Sequence, residues 1–247
     1  MHNYQATDNY LKDKTILVTG AGDGIGKEAA LQYGKHGATV ILLGKTVAKL
    51  ETVYDEIIAL GGPEPAIVPL DLKGATAQNY RDMANTISDQ FGCLDGLLHN
   101  ASLLGHLGPF TQISENDWQN VFQVNLTSQF LMTQALIPIL KKAPSASVIF
   151  TTSSVGIAGR AYWGPYAISK FATQGMMQVL ADEYDNSSIR FNSLNPGATR
   201  TVMRSKAYPA ENPETLKTPA EIMPLYLYLM DNSESQENGE TFHAQPK

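Results

Sequence analysis

The sequence predicts an α/β fold, a single-domain doubly wound parallel sheet with helices on both faces, and three observations carry that expectation. A β-branched apolar run, Thr15 to Thr19 (TILVT), breaks into the glycine-rich GAGDGIG of Gly20 to Gly26 and then into the helix-like KEAALQYGKHG. Short apolar runs go on alternating with helical stretches of roughly ten to fifteen residues, which is the pattern of βαβ units. The turns that carry polar, chemistry-bearing side chains fall at the ends of the apolar runs, where a parallel sheet gathers its ligands.

In the first turn, glycines let the backbone approach a pyrophosphate, and the N–H groups and positive dipole end of the following helix favour its charge. Thr19, Gly20, Gly24, Ile25 and Gly26 are the candidates. The spacing is G-x-x-x-G-x-G, not G-x-G-x-x-G, and a glycine-rich strand-to-helix turn also suits any doubly wound fold. The second strand, Ala38 to Leu43, ends in Gly44-Lys45 about twenty residues after the glycine turn, where an NAD site places an acid on the ribose 2′-hydroxyl. Here a lysine stands instead. Paired with a 2′-phosphate by a charge-assisted bond of roughly 1.5 to 3 kcal/mol, Lys45 would favour NADP over NAD by about ten- to a hundredfold. Asp23, inside the glycine turn, would repel that phosphate unless it points away. NADP(H) is therefore expected and NAD(H) stays open, as does a plain solvated role for Lys45.

The helix-like VAKLETVYDEIIALG and the short strand AIVPL lead to Asp71-Leu72, where the acid is placed to accept from an adenine amino group or to act as a turn or cap residue. A helical stretch to about Phe91 and the strand DGLLHN end in Asn100-Ala101-Ser102. Glu115 to Pro138 reads as one long helix with Asn125 in its middle. Asparagine is a weak helix former, so it faces solvent or serves a buried polar purpose there.

The stretch Thr151 to Lys170 holds the chemistry. Tyr166 and Lys170 are four apart and share a helix face, and Ser153 ends the apolar run SVIF. A phenol titrates near pH ~10, and an ammonium within a few ångströms favours the phenolate, bringing proton exchange toward neutrality. Beyond it, IRFNSLN is a buried strand ending in Pro196-Gly197-Ala198-Thr199-Arg200-Thr201, a rigid turn able to meet a nicotinamide amide. Within 200–217, the segment Met203 to Lys217 has weak periodicity and predicts a mobile flap over the substrate. The helix-like TPAEIMPLYLYLM and the strand GETFHA finish the domain. Leu103, Leu104, His106, Tyr162, Trp163, Met203 and Tyr208 form an expected, mostly apolar pocket wall.

Composition excludes several classes. Net charge is −6, with 18 Lys and Arg and no basic run longer than Lys141-Lys142, so a nucleic-acid footprint is missing. No apolar run approaches the ~20 residues that span a bilayer, and Cys93 is the only cysteine, which fits a reducing cytoplasm. The five histidines, 2, 36, 99, 106 and 243, show no metal spacing, and no G-x-S-x-G elbow surrounds Ser153.

Together, in this order and spacing, these motifs resemble the short-chain dehydrogenase/reductase family from Leu11 to the C-terminus. The resemblance implies an oxidoreductase exchanging hydride with a small carbonyl or alcohol. It assigns Asn125, Ser153, Tyr166 and Lys170 to catalysis. Thr19, Gly20, Gly24, Ile25 and Gly26 form the cofactor turn, with Asp71 at the adenine, Asn100 and Ala101 at the adenosine ribose side, and Thr199 and Thr201 at the nicotinamide. It also implies a homodimer or homotetramer built through the two long helices. Three departures stand out: Ser102 in place of a glycine, Asp23 where many NADP-preferring members carry a base, and no Gly-Gly after the last strand. The alternative is a non-catalytic cofactor-binding sensor or scaffold.

Overall fold

Seven parallel strands run in the spatial order β3-β2-β1-β4-β5-β6-β7. The computed structural model describes the whole chain apart from residues 2, 246 and 247. The strands are β1 Thr15–Thr19, β2 Thr39–Gly44, β3 Ala66–Pro69, β4 Gly96–His99, β5 Ala146–Thr151, β6 Ile189–Asn195 and β7 Thr241–His243. The order reverses between β1 and β4, so the chain winds outward in both directions and leaves a crevice at the carboxyl ends of those two strands.

The strands β1, β4, β5 and β6 are buried on both faces, as helices on both sides require. Alternate residues divide between two cores. Ile16, Val18, Val40, Leu42, Leu98 and Ile149 face α1 (Gly24–Lys35), α2 (Val47–Ala59) and α8 (Met223–Met230). Leu17, Ile41, Leu43, Leu97, Val148 and Phe150 face α3 (Ala77–Phe91), α5 (Ser128–Leu140) and α6 (Gly164–Glu183). Fully burying each such side chain contributes roughly 1.5 to 3 kcal/mol.

The helix expected from Glu115 to Pro138 is not regular. It consists of α4 (Glu115–Phe122), a wide π turn over Gln123–Thr127, and α5. Asn125 sits in that turn, fully buried, and its side chain bonds to a neighbouring loop instead of facing solvent. A single π turn shifts the ladder by one residue and frees backbone groups, which the sequence pattern alone does not reveal.

The segment 200–217 is also more ordered than its weak periodicity suggests. It contains α7 (Val202–Ala207) and a 3₁₀ turn, Pro213–Thr215. Arg204 grips Glu211 through two bonds of 2.6 Å, Arg200 pairs with Glu214 at 3.3 Å, and Thr199 bridges to Lys217. Ion pairs within the segment replace the apolar periodicity that was absent from it.

Among the described residues no helix is long and apolar enough to cross a membrane. No group of three metal-capable side chains forms among them either; His2 lies outside the described residues.

Candidate active site

The glycine turn is built by three different constraints. Gly20 and Gly24 take φ of +66° and +54°, which L side chains rarely adopt. Gly26 is required by packing, since a Cβ there would stand 2.3 Å from the Gly20 carbonyl and 2.5 Å from Asn100 Nδ2. Thr19 ties β1 to β4: its hydroxyl donates to the Leu98 carbonyl (3.2 Å) and accepts from the amides of Asn100 (2.9 Å) and Ala101 (3.0 Å). Asp23 caps α1 by accepting from the Gly24 amide at 2.8 Å, while the next amides, of Ile25 and Gly26, have no acceptor among the described residues. These unclaimed donors at the start of a twelve-residue helix suit a phosphate.

Asp23 does not stand alone. Lys49, from the first turn of α2, meets its carboxylate at 2.5 Å, and that bond holds the Asp23 pKa below the usual carboxylate range. The approach is close enough that a Cβ on Gly22 would meet Lys49 Cβ at 2.9 Å. The repulsion expected from Asp23 is therefore offset by a cation that no motif singled out. Lys45 is exposed and makes no ion pair among the described residues. Asp71 is exposed with its carboxylate accepting from the Lys73 amide at 3.1 Å, and Leu72 is buried beneath it.

On the other side of the crevice, Ser153, Tyr166, Lys170 and Asn125 come together. Tyr166 and Lys170 lie on α6, one turn apart and buried. Ser153 starts the 3₁₀ turn Ser154–Gly156 after β5, and its hydroxyl reaches the Tyr166 phenol. A Cβ on Gly156 would strike Lys170 Cβ at 2.7 Å, so that glycine lets the turn lie against α6.

Burial pushes the Tyr166 phenol up to about 12, with the Ser153 bond acting in the opposite direction. Burial also pulls the Lys170 ammonium down to about 8. The expectation that Lys170 would draw the phenol toward neutrality is thus not met. Its Nζ lies 5.6 Å from the centre of the Tyr166 ring and donates to the Thr151 carbonyl at 2.7 Å. A desolvated lysine gains more from a carbonyl at bonding distance than from a ring beyond it.

Asn125 serves the buried polar purpose that was one of its two expected roles. Its Oδ1 accepts from the Leu103 amide (2.7 Å), and its Nδ2 donates to the Leu103 carbonyl (2.9 Å) and to Ser169 Oγ (3.0 Å). The side chain is fully engaged in holding the loop after β4 against α6. The backbone carbonyl of Asn125 is approached by Thr173 Oγ1 at 3.4 Å.

The nicotinamide-side turn is held from the C-terminus. Gln245 Nε2 donates to the carbonyls of Pro196 and Ala198, both at 2.9 Å, and packs where a Cβ on Gly197 would sit. Thr199 is buried, with its hydroxyl donated to the Pro196 carbonyl. Thr201 caps α7 and places its side chain against Gly24, bringing the start of α7 to the glycine turn. Ser102 fits in its backbone position, but its hydroxyl is buried without a partner.

Of the expected pocket wall, Leu104, Trp163 and Met203 pack around Val155, Tyr166 and Ala167. Tyr208 joins through Trp163, the rings 5.8 Å apart. Leu103 contributes its backbone to Asn125. Tyr162 points away, 65% exposed at φ +70°, and His106 is exposed with its amide on Asp117. His99 behaves as a core residue, stacked on Phe150 and bonded to Thr133 Oγ1 at 2.9 Å, with burial holding its pKa down to about 3.

Residues 14–212 match the family model described as short chain dehydrogenase. The chain belongs to the short-chain dehydrogenase family. This short-chain dehydrogenase is 52% identical to the uncharacterized oxidoreductase YciK of Escherichia coli K12, over all of its own length and 97% of that protein. Two solved short chain dehydrogenases are similar to it over nearly their whole length. One, from Shigella flexneri 2a and complexed with NADP, has 51% identity, a TM-score of 0.95, and 97% and 100% of the two chains covered. The other, from E. coli CFT073 and complexed with NADPH, also has 51% identity and a TM-score of 0.95, with 98% and 100% covered. The dehydrogenase fold thus carries the oxidoreductase framework that the motifs implied.

Lys49, Gln245 and the π turn were missed by sequence reasoning. Lys49 has no signal beyond its position one turn into the helix after β2. Gln245 comes from the far end of the chain, and the π turn leaves only an asparagine in a helix as its trace.

Proposed function

We propose that the protein is an NADP(H)-dependent reductase of small carbonyl compounds, acting through Ser153, Tyr166, Lys170 and Asn125. The observation that carries this reading is the buried Tyr166 phenol, with Ser153 beside it and Lys170 one turn further along α6. The residues present fit the cofactor: the glycine turn with the unclaimed amides of Ile25 and Gly26 follows β1, and the orphaned Ser102 hydroxyl follows β4, at the point where the strand order reverses. The related structures with NADP and NADPH support the choice of dinucleotide.

Bound there, the dinucleotide supplies the hydride exchanged with the substrate carbon. The protein's own groups do the rest. The amides of Ile25 and Gly26 would hold the pyrophosphate, and Thr201 would stand with Thr199 at the nicotinamide. Asp71 and Leu72 line the adenine, and Asn100 and Ala101 the adenosine ribose. Lys45 pairs with the 2′-phosphate, with Asp23 neutralised by Lys49. Pro196, Gly197 and Thr199 present backbone to the nicotinamide. Ser153 holds the substrate oxygen, and Tyr166 donates its proton to it. With burial raising its pKa to about 12, the phenol carries its proton at neutral pH and can donate it to the substrate oxygen. Lys170 bonds the nicotinamide ribose, and the Asn125 carbonyl, not its amide side chain, is positioned to hold a water leading protons from Lys170 to solvent. The segment 200–217 covers the substrate.

The exposed Phe130, Ile168, Phe171 and Val179 on α5 and α6 support a homodimer or homotetramer through those helices. The absence of a spanning helix among the described residues and the single, reduced Cys93 support a cytoplasmic protein.

The test is a titration with NADPH and NADH followed by nicotinamide fluorescence, then carbonyl reduction by the wild type and by Tyr166→Phe. Preferential NADPH binding, with turnover lost in Tyr166→Phe while NADPH affinity is kept, is expected. A Tyr166→Phe variant with near-normal kcat removes the proton-donor role, and binding of neither nucleotide favours the scaffold alternative.

A further inference from the structure

Three arginines lie around Tyr208, and they are not equivalent. Arg204 is neutralised by Glu211 and Arg200 by Glu214. Arg160, in the loop between the Ser154–Gly156 turn and α6, has no carboxylate within ion-pair distance among the described residues. It is nevertheless held in place. Its Nη1 donates to the Tyr208 hydroxyl at 2.6 Å, and its guanidinium lies 6.0 Å from the Trp163 ring and 5.7 Å from the Tyr208 ring. The loop that carries it is fixed two residues later, where the Tyr162 carbonyl accepts from the Gly108 amide at 3.0 Å.

The route from Arg160 to the chemistry is short. The Trp163 ring, beside Arg160, is also 5.8 Å from the Tyr166 ring. A cavity of about 210 Å³ next to Tyr208 lies within the 200–217 segment, lined by Arg200, Thr201, Arg204, Glu211 and Leu216 and by neither Arg160 nor the catalytic side chains. A guanidinium offers five donors in a planar fork, and one phenol uses only one of them. Arg160 is exposed, and its remaining donors meet no carboxylate among the described residues. An oriented but uncompensated guanidinium at the rim of an apolar wall is what an oxyanion-bearing ligand requires.

Resting on the carbonyl-reductase reading above, we propose that the substrate is an apolar carbonyl compound carrying an oxyanion, a carboxylate or a phosphate, at the end remote from its carbonyl, and that Arg160 with Tyr208 receives that oxyanion. Leu104, Trp163 and Met203 pack against the apolar body, while Ser153 and Tyr166 take the carbonyl.

The test compares three aldehydes of one shape with NADPH: 4-carboxybenzaldehyde, 4-formylphenyl phosphate and the neutral methyl 4-formylbenzoate. At least one charged aldehyde is expected to exceed the ester about tenfold in kcat/KM, and which one identifies the oxyanion. Arg160→Ala is expected to lower the charged-to-neutral ratio about tenfold, chiefly through KM, and Arg160→Lys to recover part of it. A ratio near one in the wild type, or a ratio unchanged in Arg160→Ala, overturns the proposal and leaves Arg160 a latch of the α7 segment. Calorimetric titration of the NADPH-loaded protein with benzoate, phenyl phosphate and benzamide reads the same recognition without turnover. Tighter binding of an anion than of the amide, lost in Arg160→Ala, supports the proposal even if no aldehyde is reduced, in which case the reductase reading alone fails. Equal binding of all three overturns it.

Discussion

Lys170→Met separates what the buried ammonium does for function from what it costs the fold. Lys170 is 1% exposed, and burial takes its pKa from 10.5 to about 8. At ~1.4 kcal/mol per pKa unit, holding the charge in the folded chain costs about 3 kcal/mol at pH 7. Between the folded value and the unfolded value near 10.5, the unfolded chain binds more protons, so this cost shrinks as pH rises, to about 1.4 kcal/mol at pH 9.5. Methionine keeps the apolar stem and removes the charge, but it leaves the Thr151 carbonyl without its 2.7 Å donor, a loss of about 1 kcal/mol or somewhat more. The variant is therefore expected to be about 1 to 2 kcal/mol more stable than the wild type at pH 7 and to lose that advantage by pH 9.5, while its carbonyl reduction is abolished. Urea unfolding of nucleotide-free protein at both pH values measures the difference, and other titrating groups cancel between the two chains. A variant less stable than the wild type at pH 7, or a difference that does not change with pH, refutes the reasoning.

Other outcomes follow from the same geometry. Lys45→Ala is expected to weaken NADPH binding about tenfold and to leave NADH nearly unchanged, whereas Lys49→Ala, by exposing the Asp23 charge, weakens NADPH by up to about fivefold. Restoration of NADPH affinity in the Asp23→Ala, Lys49→Ala double variant confirms that Lys49 acts through Asp23; fluorescence titration reads all three. Gly26→Ala forces a Cβ to within 2.3 Å of the Gly20 carbonyl and should cost about 1 to 3 kcal/mol, lowering the melting temperature by at least about 2 °C together with nucleotide affinity. An unshifted melting curve shows that the turn relaxes freely. Phe171→Glu places a charge on the exposed face of α6, and light scattering is expected to show a monomer where the wild type forms a dimer or tetramer; an unchanged mass locates the interface elsewhere.

The order of strands and helices, the glycine turn and the Ser153, Tyr166 and Lys170 constellation were legible in the sequence. Each depends on short-range chemistry: apolar period, the φ freedom of glycine at positions 20 and 24, and the four-residue repeat of a helix. What the side chains do to one another was not legible. Asp23 reads as a repulsive charge until α2 brings Lys49 to it from 26 residues away. Asn125 reads as either a solvent-facing or a buried polar helix residue until the loop after β4 claims its amide. Tyr166 and Lys170 read as a pair that lowers the phenol's pKa, and burial reverses this because desolvation depends on everything packed around them. The segment 200–217 reads as unstructured because ion pairs such as Arg204–Glu211 leave no hydrophobic period. Sequence by itself determined which elements form and which reactive groups the chain owns, because those follow from neighbours in the chain. Tertiary structure alone decided which charges are compensated and which donors are left over, Arg160 among them, because those depend on partners that only folding brings near.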